Sequence, residues 1–196
     1  IDPVRFISNH SSGKMGFAIA EMATLAGANV TLIAGPVQLA ESDNIERLNV
    51  RSAEQMFSAV KQHYSQHEIF ISAAAVADFC VVMPAQQKIK KQAHTENLTL
   101  ELVKNPDIIA WVAQQLDKPF TVGFAAETEN VMEYAQAKLQ RKNLDMICAN
   151  QVGNELGFDQ QDNALTLITA NQQVSLKRSS KQQQAVQLLK MIAQQI

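Results

Sequence analysis

Cysteine is almost missing from this chain: its 196 residues hold two, Cys80 and Cys148, each in an apolar stretch. Two thiols with no metal-ligand spacing and no signal peptide argue against a thiolate metal site and point to a cytoplasmic location. Excess charge is missing too. A net charge of -2 excludes bulk electrostatic attraction as a basis for binding nucleic acid or anionic lipid, so we expect neither partner. No apolar run approaches a membrane span. There is no internal repeat, no linker rich in glycine, proline or serine, and no Gly-x-Gly-x-x-Gly. What is present is the composition of an ordinary globular protein, 46% apolar and 18% charged. At this length one domain should bury roughly 70% of the unfolded surface.

Helix-period and strand-like runs alternate along most of the chain. The pattern predicts a helix from about Gly13 to Ala26, ending at Gly27, then strands over Asn29–Ala34 and Ile45–Val50 and a helix capped by Ser52. "EIFISAAAVADF" starts as an apolar strand and opens into a loop of small residues. Residues 79–104 hold a lysine cluster and the strand candidate "LTLELV". "NPDIIAWVAQQL" reads as a helix with Asn105 at the N-cap and Pro106 in first place. A strand ("FTVGFA"), a helix ("TENVMEYAQAKLQRK") and a strand ("LDMICAN") follow. A hairpin turning at Asn171-Gln172 and a last helix from about Ser180 close the chain. This order predicts an α/β fold, a Rossmann-like and mostly parallel sheet with helices on both faces. The terminal hairpin adds antiparallel strands, and 79–104 forms an excursion. We expect one domain over 1–196. Its first helix is preceded only by a weak strand candidate, Val4–Ser8, and its first residue is Ile1, so we expect the first strand and its turn to lie upstream.

The stretch "SNHSSGKMGFAIAEMA" places Gly13-Lys14 before a helical run, as a phosphate-binding loop would. A Walker A loop needs Gly-x-x-x-x-Gly-Lys-Ser/Thr. Ser8 stands where the earlier glycine belongs and Met15 replaces the hydroxyl, so the Walker reading fails. What survives is a helix start at Ser11, Ser12 and Gly13 whose first amides lack internal partners and attract anions. The plainer alternative is that Ser11 or Ser12 merely caps the helix. The small residues Gly16, Ala18, Ala20 and Ala23 predict a helix buried against the sheet, with its start at the carboxyl ends of the strands, where open α/β sheets bind ligands.

Basic residues gather in two places despite the slightly negative total. "KIKK" gives Lys88, Lys90 and Lys91, with His94 nearby, after a strand end with one acid, Asp78. Lys138 and Lys142 lie four apart on one helix face. A solvated loop and a helix C-terminal dipole are the ordinary explanations; a pocket for a polyanionic small molecule accounts for both at once.

With "SNHSSGKMG", "AAVADF", "KIKK", "KNPDII", "VGFAAET" and "KNLDMICAN" in this order, the sequence resembles the phosphopantothenate–cysteine ligases of coenzyme A synthesis, in the bacterial CTP-dependent form. That form is usually the C-terminal half of a bifunctional protein whose other half is a flavin-dependent decarboxylase. The resemblance implies a ligase that converts CTP, 4'-phosphopantothenate and L-cysteine through an acyl-cytidylate, with Mg2+ on the triphosphate and a homodimeric assembly. It implies catalytic roles for Asn9, at the acyl group in the second step, and Lys88, in forming the acyl-cytidylate. It places the nucleotide against Ser72, Ala73, Ala74, Asp78, Lys88, the turn Pro106, Asp107, Ile108 and Ile109, then Phe124, Lys138 and Lys142. Ser11, Ser12 and Gly13 join Asn9 as the anion and substrate site. The metal ligands stay open. The family also has a strand and a Gly-rich turn before the position of Ile1.

Two rival readings stand beside this one. "YAQAK", Tyr134 to Lys138, fits the Tyr-x-x-x-Lys pair of short-chain dehydrogenases, but the strand that should end in an acidic residue ends in Gly35-Pro36. A nucleotide-sensing module would bind CTP and release no pyrophosphate. Among single residues, His10 reads as a capping or exposed histidine, Trp111 and Phe79 as packing residues, and Cys80 as buried with no adjacent base. The leucines Leu98, Leu100 and Leu102 of the excursion need cover, which favours a dimer.

Overall fold

In the computed structural model, which describes residues 1–40, 44–90, 97–127, 129–151 and 162–196, period-two alternation in the central strands sorts side chains onto two faces. Strands β3 (Ile69–Ser72), β6 (Phe120–Glu127) and β7 (Met146–Gln151) run parallel. β9 (Leu165–Ile168) pairs antiparallel with β7, and β10 (Gln173–Ser175) with β9. The five strands form one sheet in the order β10-β9-β7-β6-β3. Val122, Met146, Cys148, Leu165 and Leu167 point to one face. There they meet Ala18 and Ile19 of α1 (Lys14–Leu25) and Ala185 and Leu188 of α5 (Lys181–Ala193). Ala125, Ile147, Ala149 and Ile168 point to the other face, against Ile109 of α3 (Ile108–Ala113) and Ala135 and Leu139 of α4 (Val131–Arg141). Helices thus cover both faces, as alternating elements require. Each fully buried leucine or isoleucine contributes about 2 kcal/mol. Burial also pushes the Cys148 thiol pKa up.

The remaining strands form small ribbons. β1 (Thr31–Ala34) pairs in parallel with β2 (Glu46–Asn49), and β4 (Phe79–Val81) pairs antiparallel with β5 (Leu102–Lys104). The latter ribbon is the excursion. It is shorter than "LTLELV" predicts, and β5 takes only the end of that run. A two-residue ribbon joins β8 (Asp162–Asn163) to β11 (Ser179–Ser180); nothing in the sequence pattern announces it. Helix α2 (Ala53–His63) starts as expected, with Ser52 accepting from Gln55 N. Helix α5 starts on a capping box between Ser180 and Gln183. The buried Gln184 amide donates to Lys177 O (2.7 Å) and Ser179 Oγ (2.8 Å), which fixes the entry to α5. No described helix is long and apolar enough to cross a membrane.

Two expectations need correction here. Asn105 does not cap α3: Asp107 does, accepting from Ala110 N at 3.2 Å, and the helix is six residues long. Asn105 instead donates its side-chain amide to Ala77 O and its backbone N–H to Asp78 O, both at 2.8 Å. Neither Ser11 nor Ser12 caps α1. The N-cap is Gly13, in the left-handed region at φ 73°, and Ser11 Oγ accepts from the Gly13 N–H itself, at 3.3 Å. A Cβ at Gly13 would strain that backbone and lie 3.0 Å from Val37 Cγ1.

Close packing of α3 on the sheet depends on Gly123. A Cβ there would sit 2.8 Å from Leu144 Cδ1 and 3.0 Å from Ile109 Cδ1. Both are tips of flexible side chains, so Gly123→Ala should cost about 1–2 kcal/mol. Urea unfolding reads this as a lower midpoint at unchanged slope. An unchanged midpoint would mean that Leu144 and Ile109 move aside without strain.

At the amino ends of β6 and β7, Asp145 locks the register. Its Oδ2 accepts from Thr121 N (2.7 Å), from the fully buried Thr121 hydroxyl (2.8 Å) and from Lys118 Nζ (2.8 Å). Burial by itself raises the Asp145 pKa, but Lys118 and the two Thr121 donors outweigh it and leave the pKa lowered. A carboxylate held below its unfolded pKa of 3.8 contributes stability above that pH and loses it as the pH falls through the folded value. Asp145→Asn should therefore destabilise by roughly 1–2 kcal/mol at pH 7. The gap from the unsubstituted protein should close as the pH falls below 3.8 toward the lowered value of the folded carboxyl. Parallel melts at pH 7 and pH 3 check the sign; a gap that widens in acid contradicts it.

Candidate active site

The carboxyl ends of the parallel strands bring separate segments of the chain together. β3 ends at Ser72 and opens into the loop Ala73–Asp78, whose small side chains leave its backbone accessible. Helix α1 begins against this loop, with a Cβ at Gly16 falling 3.7 Å from Ala73 Cβ. On one side of the loop the Asn9 amide donates to Val76 O at 3.2 Å. On the other, Asn105 holds Ala77 O and Asp78 O. One loop therefore joins the N-terminal strap to the Pro106–Ile109 turn.

The basic residues of α4 reach the same edge. Lys138 Nζ donates at 2.7 Å to the carbonyl of Phe124, one residue past the pairing of Gly123 with Ser72 at the end of β3. Lys142 Nζ pairs with both oxygens of Asp107, at 3.0 and 2.8 Å. Lys142 thus ties the end of α4 to the start of α3 besides meeting its own helix dipole. Ile108 and Ile109 are each 7% exposed and belong to the core. What the turn offers a ligand is backbone, together with the half-exposed Asp107 carboxylate. Asp78 and Ala74 are exposed.

Lys88 and Lys90 are exposed, and Lys88 has no hydrogen-bond or ion-pair partner among the described residues. Lys91 and His94 lie outside the described residues. The strap places Lys88 through its neighbours. Ile1 O accepts from Ala85 N at 2.9 Å, and Arg5 Nη2 donates to Ile89 O at 3.0 Å. Sequence reasoning passed over Asp2 and Arg5. Their i,i+3 spacing signals a local ion pair, but their grip on a segment more than 80 residues away leaves no mark in the sequence.

Of three single-residue expectations, that for Trp111 holds and those for Phe79 and Cys80 do not. Trp111 is a packing residue, edge-on to Phe57 and Tyr64 at 5.4 and 5.1 Å between ring centres. Phe79 is not one, being 43% exposed. Cys80 is half-buried on β4 rather than buried.

The described residues contain no group of three or more His, Cys, Asp or Glu able to hold a metal. A shallow groove of about 270 Å³ lies between α1 and α5, lined by Met22, Gln182, Gln183, Val186 and Gln187. It contains none of the site residues, and its neutral lining offers a polyanion no countercharge.

Comparison with known proteins agrees with the ordered motifs. The model of the DNA/pantothenate metabolism flavoprotein C-terminal domain matches residues 1–196. The Vibrio vulnificus (strain CMCP6) coenzyme A biosynthesis bifunctional protein CoaBC is 50% identical over 194 residues, 98% of this chain and 48% of its own length. The Escherichia coli (strain K12) protein of the same name is 55% identical over 170 residues, 85% of this chain and 42% of its own. The chain thus spans about half the length of these relatives. The crystal structure of a CoaBC C-terminal domain superposes with TM-score 0.82 at 38% identity, covering 98% of this chain and 87% of the other. The chain therefore belongs to the family of DNA/pantothenate metabolism flavoprotein C-terminal domains.

Proposed function

We propose that the domain is a phosphopantothenate–cysteine ligase. A carboxylate oxygen of 4'-phosphopantothenate attacks the α-phosphorus of CTP, the bond to the β-phosphate oxygen breaks, and pyrophosphate leaves. The amine of L-cysteine then attacks the acyl carbon, the acyl–phosphate bond breaks, and CMP leaves as the amide forms. The observation that carries this reading is the shared loop Ala73–Asp78, held by Asn9 from one side and Asn105 from the other. It puts a neutral amide donor, the Gly13 start of α1 and the Pro106–Ile109 turn at one sheet edge. Lys88, exposed and with no partner among the described residues, is the cation offered to phosphate oxygens, and Lys138 and Lys142 line the α4 side. Mg2+ bound to the triphosphate would neutralise part of its charge. Against the dehydrogenase alternative, Lys138 is turned to the Phe124 carbonyl.

Two assembly proposals follow. β1 pairs only with β2, and β3 only with β6, among the described strands. Yet Ile33 of β1 and Phe70 of β3 pack into one cluster with Val60 and Val112, and the first turn of α1 touches both Val37 and Ala73. An upstream parallel strand that paired with β1 and β3 would join the β1–β2 ribbon to the main sheet. On the excursion, Phe79, Val82, Met83, Leu98, Leu102 and Val103 are each at least 43% exposed, a patch that a second copy of the chain would cover. A flavin-dependent decarboxylase half is the expected fusion partner.

The test is a pyrophosphate-release assay on the chain with its natural upstream residues, giving CTP or ATP, with and without cysteine. Release with CTP and phosphopantothenate alone, and amide formation only on adding cysteine, is the expected result. Binding of CTP without release would favour a sensor. Oxidation of NADPH with a carbonyl substrate, followed at 340 nm, would favour the dehydrogenase.

A further inference from the structure

The Asp2 carboxylate collects more donors than a local turn requires. Oδ1 accepts from Val4 N and Arg5 N, each at 2.9 Å. Oδ2 accepts from Arg5 Nε at 3.0 Å and from Arg5 Nη2, and it also reaches Ile89 N at 3.1 Å. Arg5 Nη2 in turn donates to Ile89 O at 3.0 Å. One ion pair therefore grips Ile89 at both its N–H and its C=O, as a strand partner would. The Asp2 side chain has no exposed surface in this arrangement, while that of Arg5 is 44% exposed. The guanidinium beside it, the strongest of several donors, holds the Asp2 carboxyl well below the usual carboxylate range, so it is ionised at neutral pH.

Lys88 immediately precedes the gripped residue. Its own side chain has no partner among the described residues, so only the backbone fixes where the ammonium starts from. We propose that Asp2 is a positioning residue: with Arg5 it clamps Ile89 to the N-terminal strap and so sets the root of Lys88 relative to Asn9 on the same strap. The clamp joins two surface segments, and none of residues 1–9 or 85–90 is a core residue. Its loss should move the lysine without loosening the sheet. Misplacing a catalytic group by about 1 Å typically costs on the order of 100-fold in rate, and a flexible lysine stem recovers part of that.

The inference rests on Lys88 acting at the nucleotide phosphates. Its test uses the full chain carrying Asp2→Asn or Asp2→Glu, with three readouts: hydrogen exchange at the Ile89 amide, kcat and KM for CTP in pyrophosphate release, and the thermal midpoint. Asp2→Asn should expose the Ile89 amide to faster exchange and lower kcat by about 10-fold or more, with the thermal midpoint little changed. Asp2→Glu keeps the charge and should restore most of both effects. Unchanged exchange at Ile89 would remove the clamp. Faster exchange with undiminished kcat would leave the clamp but overturn its role in positioning. Rate losses in both variants that track lowered midpoints would make Asp2 a structural residue instead. Failure of the Lys88 reading shows separately, as undiminished pyrophosphate release by Lys88→Gln.

Discussion

Lys88→Gln should give a folded protein that releases pyrophosphate from CTP and 4'-phosphopantothenate at 1% of the normal rate or less, an effect of about 10²–10³. The two halves of that expectation have separate grounds. Lys88 is exposed and has no partner among the described residues, so its loss should change stability by no more than about 0.5 kcal/mol. At the site, glutamine keeps most of the length but replaces a cation with a neutral amide where negative charge builds on the departing pyrophosphate. A fixed cation at such a point lowers the barrier because it need not reorganise as the charge develops. Lys88→Arg sharpens the test. It keeps the charge but spreads it over a planar fork, so a phosphate site shaped for a compact ammonium should work only in part. A thermal melt and a pyrophosphate assay on both variants suffice. Undiminished release by Lys88→Gln would return Lys88 to the class of solvated surface charges.

Local pattern carried the sheet and failed at the strap, and the difference is physical. Val122, Met146 and Cys148 against Ala125, Ile147 and Ala149 sort onto two faces because a strand has period two. That period is written in adjacent residues. The starts of α2 and α5 were equally legible, since Ser52 and Ser180 bond amides within three positions. The start of α3 was misplaced because Asn-Pro-Asp offers two capping side chains in three residues. Tertiary contact chose between them: Asn105 is drawn to the loop after β3, and Asp107 is left to cap the helix and meet Lys142. Ser11 and Ser12 misled for the opposite reason, because the left-handed Gly13 takes the N-cap position itself. Phe79 was expected to pack and is exposed, since the ribbon it belongs to has one uncovered face. The clamp of Asp2 and Arg5 on Ile89, and the Lys118–Asp145–Thr121 network, join positions 24 to 87 residues apart. No window short enough to show periodicity contains both ends. At the candidate site, composition and spacing picked out the helix start, the strand-end loop and the lysines. The identity of the nucleotide and the acid came only from the ordered motifs.

Asn9→Asp separates the two chemical steps. An asparagine amide carries two N–H donors. Asn9 spends one on Val76 O, at 3.2 Å, which turns the group toward the loop and leaves the second free for an acyl oxygen. Aspartate has nearly the same shape and no donor. Its carboxylate would face the Val76 carbonyl and, in the intermediate, an acyl oxygen that gains negative charge as the cysteine amine attacks. Loss of one such donor typically slows the step by about 10²–10³, and repulsion adds to it. The first step develops its charge on the phosphates, so pyrophosphate release should continue through one turnover. The expected result is a burst of pyrophosphate close to one per active site, acyl-cytidylate recoverable from quenched reactions, and amide formation reduced at least 100-fold. Asn9 is exposed and lies outside the sheet, so the thermal midpoint should barely move, and a lost burst cannot be put down to unfolding. If the variant forms amide at the normal rate, Asn9 has no part in the second step. If the burst disappears while the fold survives, Asn9 acts in the first step, beside Lys88, and the division of labour proposed for the two residues is wrong.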